Sequence, residues 1–160
     1  MNRHEPAAED QADEPAEHLR FATYLRALER VGEADEVDLI VEVLTDPDRA
    51  MARSAVLRHL DRRATDLHTG PGYATWAAPI TAAIACDPFL TGRLREWSLL
   101  RAVASSRPWS RQALLDASDW LQLQAAGTAN AGAVELLAEH GRTKRIRTTA
   151  RAGLKRHGTR

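Results

Sequence analysis

The chain has 160 residues, 44% of them hydrophobic, and its 22 Lys and Arg balance 22 Asp and Glu, so the formal net charge is zero. That length suits one domain with a core of its own, and the even balance excludes a partner chosen by bulk charge alone. The single cysteine, Cys86, excludes an internal disulfide and a thiolate metal cluster.

The chain opens with Glu5, Glu9, Asp10, Asp13, Glu14 and Glu17, interrupted by Pro6 and Pro15 and without an apolar run. Such a segment buries too little apolar area to offset its ordering entropy, so residues 1–17 are expected to be a disordered acidic tail rather than a secretory signal. Residues 18–157 are expected to form a single helical domain, with 158–160 as its basic end. No stretch approaches the ~20 apolar residues of a bilayer span. A cytoplasmic protein without a membrane partner is therefore expected.

Phe21, Tyr24, Leu25, Leu28 and Val31 share one face at helical spacing, and Gly32 supplies a stop. Val37, Ile40, Val41 and Leu44 form the next stripe. Leu39 and Val43 add a second apolar side, which predicts a helix buried between neighbours. Asp46 is placed to cap the helix that follows, with Pro47 at its first position. That helix runs to about Ala64, with Met51, Ala55, Val56 and Leu60 inward.

Thr69-Gly70-Pro71-Gly72 breaks the pattern. Tyr73 to Cys86 is rich in Ala and contains Pro79, which predicts either one kinked helix or two short ones. Asp87-Pro88 repeats the start signal, and Leu90, Leu94, Trp97, Leu100 and Ala104 line the helix after it. Ser105-Ser106-Arg107-Pro108 reads as a linker or cap. Leu114, Leu115, Ser118, Leu121 and Ala125 give the inner face of the next helix. Gly127 to Gly132 is a turn, and a last helix pair follows. Strand alternation and Asn-Gly or Asp-Gly hairpin signals are absent from the sequence.

Two segments share a pattern. Leu39 to Asp48, followed by Met51, Ala55 and Leu60, reads as an apolar helix, a tight turn, and a second helix whose small Ala lets a neighbour pack close. Val134 to Gly141, followed by Ile146, Arg147, Ala150 and Leu154, reads the same way. Both resemble the HEAT-like (armadillo-type) helical repeat. The first copy keeps Asp46-Pro47-Asp48 but has Ala52 where such repeats often carry Arg. The second keeps Arg147 but replaces Asp-Pro with Gly141-Arg142. The resemblance implies an all-α fold of antiparallel helical hairpins stacked into a short right-handed solenoid with a concave side. The alternative fold is an irregular helical bundle.

The resemblance implies a display surface, so the leading expectation is a non-enzymatic adaptor that holds a protein or peptide. No Gly-rich phosphate loop, nucleophile elbow or zinc helix is present, and no catalytic, cofactor-binding or metal-binding residue is expected. His59 reads as a hydrogen-bonded histidine of the core or rim. Asp116, Asp119, Trp120 and Leu123 fall on the outer side of a helix whose inner side holds Leu114, Ser118 and Leu121. Two carboxylates beside a large aromatic suit a cationic partner segment. The competing reading puts Trp120 in the core under another element.

The last helix offers a second candidate surface. Lys144, Arg147, Arg151 and Lys155 form an outward basic stripe opposite Ile146, Ala150, Gly153 and Leu154. Such a stripe can neutralise phosphates, which makes nucleic acid the alternative partner. It lacks interleaved aromatics for base stacking, and the competing reading is favourable charge near a helix C-terminus with a solvated tail. A minor alternative is an enzyme similar to the HEAT-like DNA glycosylases, with Asp116 or Asp119 and Trp120 as candidates. The sequence does not indicate an oligomeric state.

Overall fold

The structure, a computed structural model, describes residues 13–157. Among them are nine helices and no strand: α1 Asp13–Arg30, α2 Glu36–Val43, α3 Arg49–Leu67, α4 Tyr73–Ala83, α5 Pro88–Ala104, α6 Arg111–Asp116, α7 Asp119–Ala126, α8 Ala131–His140 and α9 Lys144–His157. Helix α1 begins inside the stretch expected to be a tail. The rest of that tail, residues 1–12, and the basic end, 158–160, lie outside the described residues.

The helices fall into two rows. Along one, α1 packs on α3, α3 on α5, α5 on α7 and α7 on α9. Along the other, α2 packs on α4 and α6 on α8. Each helix of the second row also packs on its successor in the first, most extensively α8 on α9. Every helix sends at least one large side chain into the common core: Leu28, Ile40, Leu60, Ile80, Leu90, Leu114, Leu121, Leu137 and Ile146 are all essentially inaccessible. Each such burial contributes about 1.5–3 kcal/mol before the entropy of ordering is set against it.

Helix starts follow local chemistry. Asp87 accepts the amides of Phe89 and Leu90 with Pro88 in the first turn, as the Asp-Pro signal predicts. The same signal at Asp46-Pro47 works differently. Asp48, not Asp46, caps α3 by accepting the Met51 amide, and the helix begins at Arg49. Asp46 turns inward, where it accepts the Tyr24 hydroxyl at 2.8 Å and the Asp48 amide at 2.9 Å, with Arg20 beside it at 3.3 Å. The Tyr24 bond first, then the Asp48 amide, holds its carboxyl below the usual range. Asp46 thus ties α1 to the turn ahead of α3.

Two other expectations change, and a third is decided between its alternatives. Val41 is 46% exposed, so the α2 core stripe is Ile40 and Val43 with Val37, Leu39 and Leu44 half-buried. Pro79 leaves α4 a single helix, because Pro79 and Thr75, whose carbonyl would lose its partner, both lie on the exposed side. The inner face expected from Leu114 to Ala125 is split. Ala117 and Ser118 are extended, α6 ends at Asp116, and the Ser118 hydroxyl caps α7 by accepting the Leu121 amide.

The departure from Asp-Pro at Gly141 has a packing cause. A Cβ on Gly141 would lie 2.5 Å from the Leu137 carbonyl and 2.7 Å from Ile146 Cγ2, so only glycine lets α9 turn back this closely on α8. Ala55 on α3 and Ala150 on α9 are both fully buried, as small residues at helix contacts should be. Replacing either with Leu is expected to overpack the contact and cost about 1–3 kcal/mol. Chemical denaturation reads this directly, and midpoints equal to the parent's in both variants would refute close packing there.

Candidate partner-binding face

A row of polar and aromatic side chains joins α3, α5 and α7. Asp61 on α3 accepts two bonds from Arg93 on α5, from Nε at 2.8 Å and Nη2 at 2.9 Å, and a third from the Trp97 indole at 2.7 Å. The forked guanidinium matches the carboxylate, which fixes its plane. That plane lies over the Trp120 ring of α7, with the guanidinium carbon 3.6 Å from the ring centroid. Trp97 meets Trp120 edge-on at 5.1 Å. Glu96, one helical turn beyond Arg93, accepts the Ser118 amide at 2.8 Å and its hydroxyl at 2.9 Å, and so positions the start of α7.

The row is held rigidly yet remains reachable. The side chains of Asp61 and Arg93 are 29% and 19% exposed, Trp120 is half-buried, and Trp97 is buried beneath them. Interactions of this partly desolvated kind are stronger than on open surface.

The residues singled out in the sequence are distributed around this row. Asp116 ends α6 and is exposed, where Gln112 donates to it at 2.8 Å. Asp119 opens α7, also exposed, 3.6 Å from Arg142. Trp120 is the aromatic under Arg93, so its face is already taken by a guanidinium of the same chain. Leu123 is half-buried against the core. The four therefore do not share one helix face. Trp120 belongs to the row, Asp119 precedes it at the start of α7, Asp116 stands on a separate helix, and Leu123 serves packing.

The basic stripe is also modified. Lys144, Arg151 and Lys155 are exposed on α9, but Arg147 is half-buried and donates to the Gly141 carbonyl at 2.6 Å, closing the turn before its own helix. Sequence reasoning missed Asp61, Arg93, Glu96 and Trp97. Their partners lie on other helices, and no local motif announces them.

A second polar cluster lies deeper, between α2, α3 and α4. Glu36, 3% exposed, accepts His59 Nε2 at 2.7 Å, the Trp76 indole at 3.0 Å and Arg63 Nε at 3.2 Å. Arg62 lies 3.1 Å from His59 Nδ1 and can only donate, so the ring proton sits on Nε2, facing Glu36. Burial pushes the Glu36 carboxyl up, but the bonds from His59, Trp76 and Arg63 outweigh it and bring the group down to about 2.

No three His, Cys, Asp or Glu residues among the described residues are placed to hold a metal ion. None of the described helices is long and apolar enough to cross a membrane. Comparison of the chain with protein-family models, curated proteins and solved structures finds no significant match.

Proposed function

We propose that the chain is a HEAT-like adaptor that holds a protein or peptide partner on the layer formed by α3, α5 and α7, and that it works in the cytoplasm. The repeat reading is supported by the alternation of helices between two rows, in which α2–α3, α4–α5, α6–α7 and α8–α9 pair as successive hairpins. The observation that carries the function is the Asp61–Arg93–Trp120 row. It spans three consecutive second helices, and it combines the Trp and Arg types that dominate interface hot spots in an arrangement that needs no reordering on binding. Asp119 and Arg142 extend it with exposed charge at the rim.

The nucleic-acid reading of α9 keeps Lys144, Arg151 and Lys155 but not a free Arg147. One experiment separates the two. The parent chain, Asp119→Lys and Arg93→Lys are used for affinity capture from the native cell extract with and without nuclease. The captured protein is then purified and titrated. Both variants are expected to bind it about tenfold more weakly, the size of a ~1.4 kcal/mol contact, with unchanged helical circular dichroism. Full affinity in both variants, or capture that vanishes with nuclease, would overturn the proposal.

A further inference from the structure

The row of first helices is interrupted. α2 packs on α4 and α6 packs on α8, but α4 and α6 do not pack to a comparable degree. Beside α4 runs an open cleft of about 540 Å³, with α4 as one wall, α5 as the floor and the segment around Arg107 and Pro108 as the rim. Its apolar lining is rich in small residues, alongside Tyr73 and Pro108. Ala74, Ala77 and Ala78 stand at helical spacing on α4, and Ala102 lies on α5. Surfaces of this kind let a helix axis approach to about 8 Å.

The charge of the cleft has one sign. Arg101 and Arg107 line it, and no carboxylate does. Arg101 is 8% exposed, donates to the carbonyls of His68 at 2.8 Å and Gly70 at 2.6 Å, and lies over the Tyr73 ring. It pairs with no carboxylate among the described residues, so a buried positive charge faces the cleft without a counter-ion. Arg107 is exposed, and its side chain makes no ion pair among the described residues. Its position is fixed by the end of α5. Ser106 takes a left-handed conformation at φ 52°, and the Arg107 amide returns to the Ala102 carbonyl at 2.9 Å.

We propose that this cleft docks an acidic amphipathic helix of a partner protein, which lies along α4 over the floor formed by α5. This site shares no lining residue with the Asp61–Arg93–Trp120 face. The alanines receive the small or apolar side of the incoming helix, a Glu or Asp pairs with Arg107 at the rim, and the charge of Arg101 favours the same sign throughout. A phosphate backbone fits less well. It would leave the alanine surface without apolar cover, and it would find one exposed cation where backbone binding draws on several.

The test is a display library of random peptides ~16 residues long, enough for roughly four helical turns. It is panned on the parent chain and counter-selected on Ala78→Trp, which fills the cleft. Recovered peptides are expected to carry Asp or Glu at helical spacing opposite Ala or Leu, and to lose about tenfold or more in affinity with either Ala78→Trp or Arg107→Glu. Arg107→Glu changes an exposed side chain that makes no ion pair among the described residues, so it should fold as the parent does and keeps the test decisive if the Trp variant does not. The proposal is overturned if no peptide is enriched over the filled variant, if binders ignore Arg107→Glu, or if a short DNA duplex binds with the same dependence on Arg107. A partner held on the α3–α5–α7 face should survive Ala78→Trp, so the two proposals fail separately.

Discussion

Replacing Glu36 with Ala is expected to lower the unfolding free energy by about 3–5 kcal/mol, because removing one member of a buried polar cluster strands the others. The Trp76 indole and the His59 ring would lose their acceptor inside the protein, and each buried unpaired donor costs about 1–3 kcal/mol. Arg63, with its side chain 23% exposed, can turn to water and should add little. Glu36→Gln separates charge from shape. The folded carboxyl sits at about 2 and its ordinary value is 4.5. The group binds its proton less readily in the folded chain. Its charge therefore stabilises the fold fully above pH ~4.5, and that contribution of about 3 kcal/mol is lost as pH falls through about 2. Urea titrations of the parent and Glu36→Gln should differ most near neutrality and converge in acid. A difference that stays constant down to pH ~2.5 would show that shape, and not charge, holds the cluster.

The same cluster marks the limit of what the sequence discloses. The helices are legible because their signals are local: the Leu28, Ile40 and Leu60 stripes, the Asp87-Pro88 start, the breaks at Gly32 and Gly70. The sequence alone does not tell Asp46 from Asp48 as the cap of α3, because two aspartates flank Pro47 and either could cap by spacing. The decision came from Tyr24 on α1, which draws Asp46 inward. The expectation that Ser118 lies inside a continuous helix failed because Glu96 on α5 binds its amide and hydroxyl and stops the chain there. Trp120 is visible in the sequence as a large aromatic on a face shared with Asp116, Asp119 and Leu123. That Arg93 covers it is a tertiary fact, and so is the ladder from Asp61 to Glu96. The cleft was hidden for a related reason. Alanines on α4 look like helix formers, and only the tertiary arrangement of α4, α5 and the Arg107–Pro108 segment turns them into a surface.

Gln122→Leu is expected to cost about 2–4 kcal/mol and to weaken the partner face from a distance. Gln122 is fully buried at the heart of α7. Its amide nitrogen donates to the Leu114 carbonyl at 3.1 Å and the Leu115 carbonyl at 2.8 Å, which α6 leaves open when it stops at Asp116. Its oxygen accepts the Arg142 amide at 2.9 Å, in the turn between α8 and α9. One side chain thus closes the end of α6 and anchors the turn that carries Arg142 toward Asp119. Leu has nearly the same reach, so the substitution keeps the packing and deletes only the bonds. The Leu114 carbonyl is left unpaired in the core, while the Leu115 carbonyl and the Arg142 amide, nearer the surface, can recover part of the loss from water. Amide hydrogen exchange at Arg142 should accelerate in the variant, and Asp119 and Arg142 should no longer act as one rim contact. If the variant unfolds within ~0.5 kcal/mol of the parent and Arg142 stays protected, packing alone holds this junction and Gln122 does not organise the face.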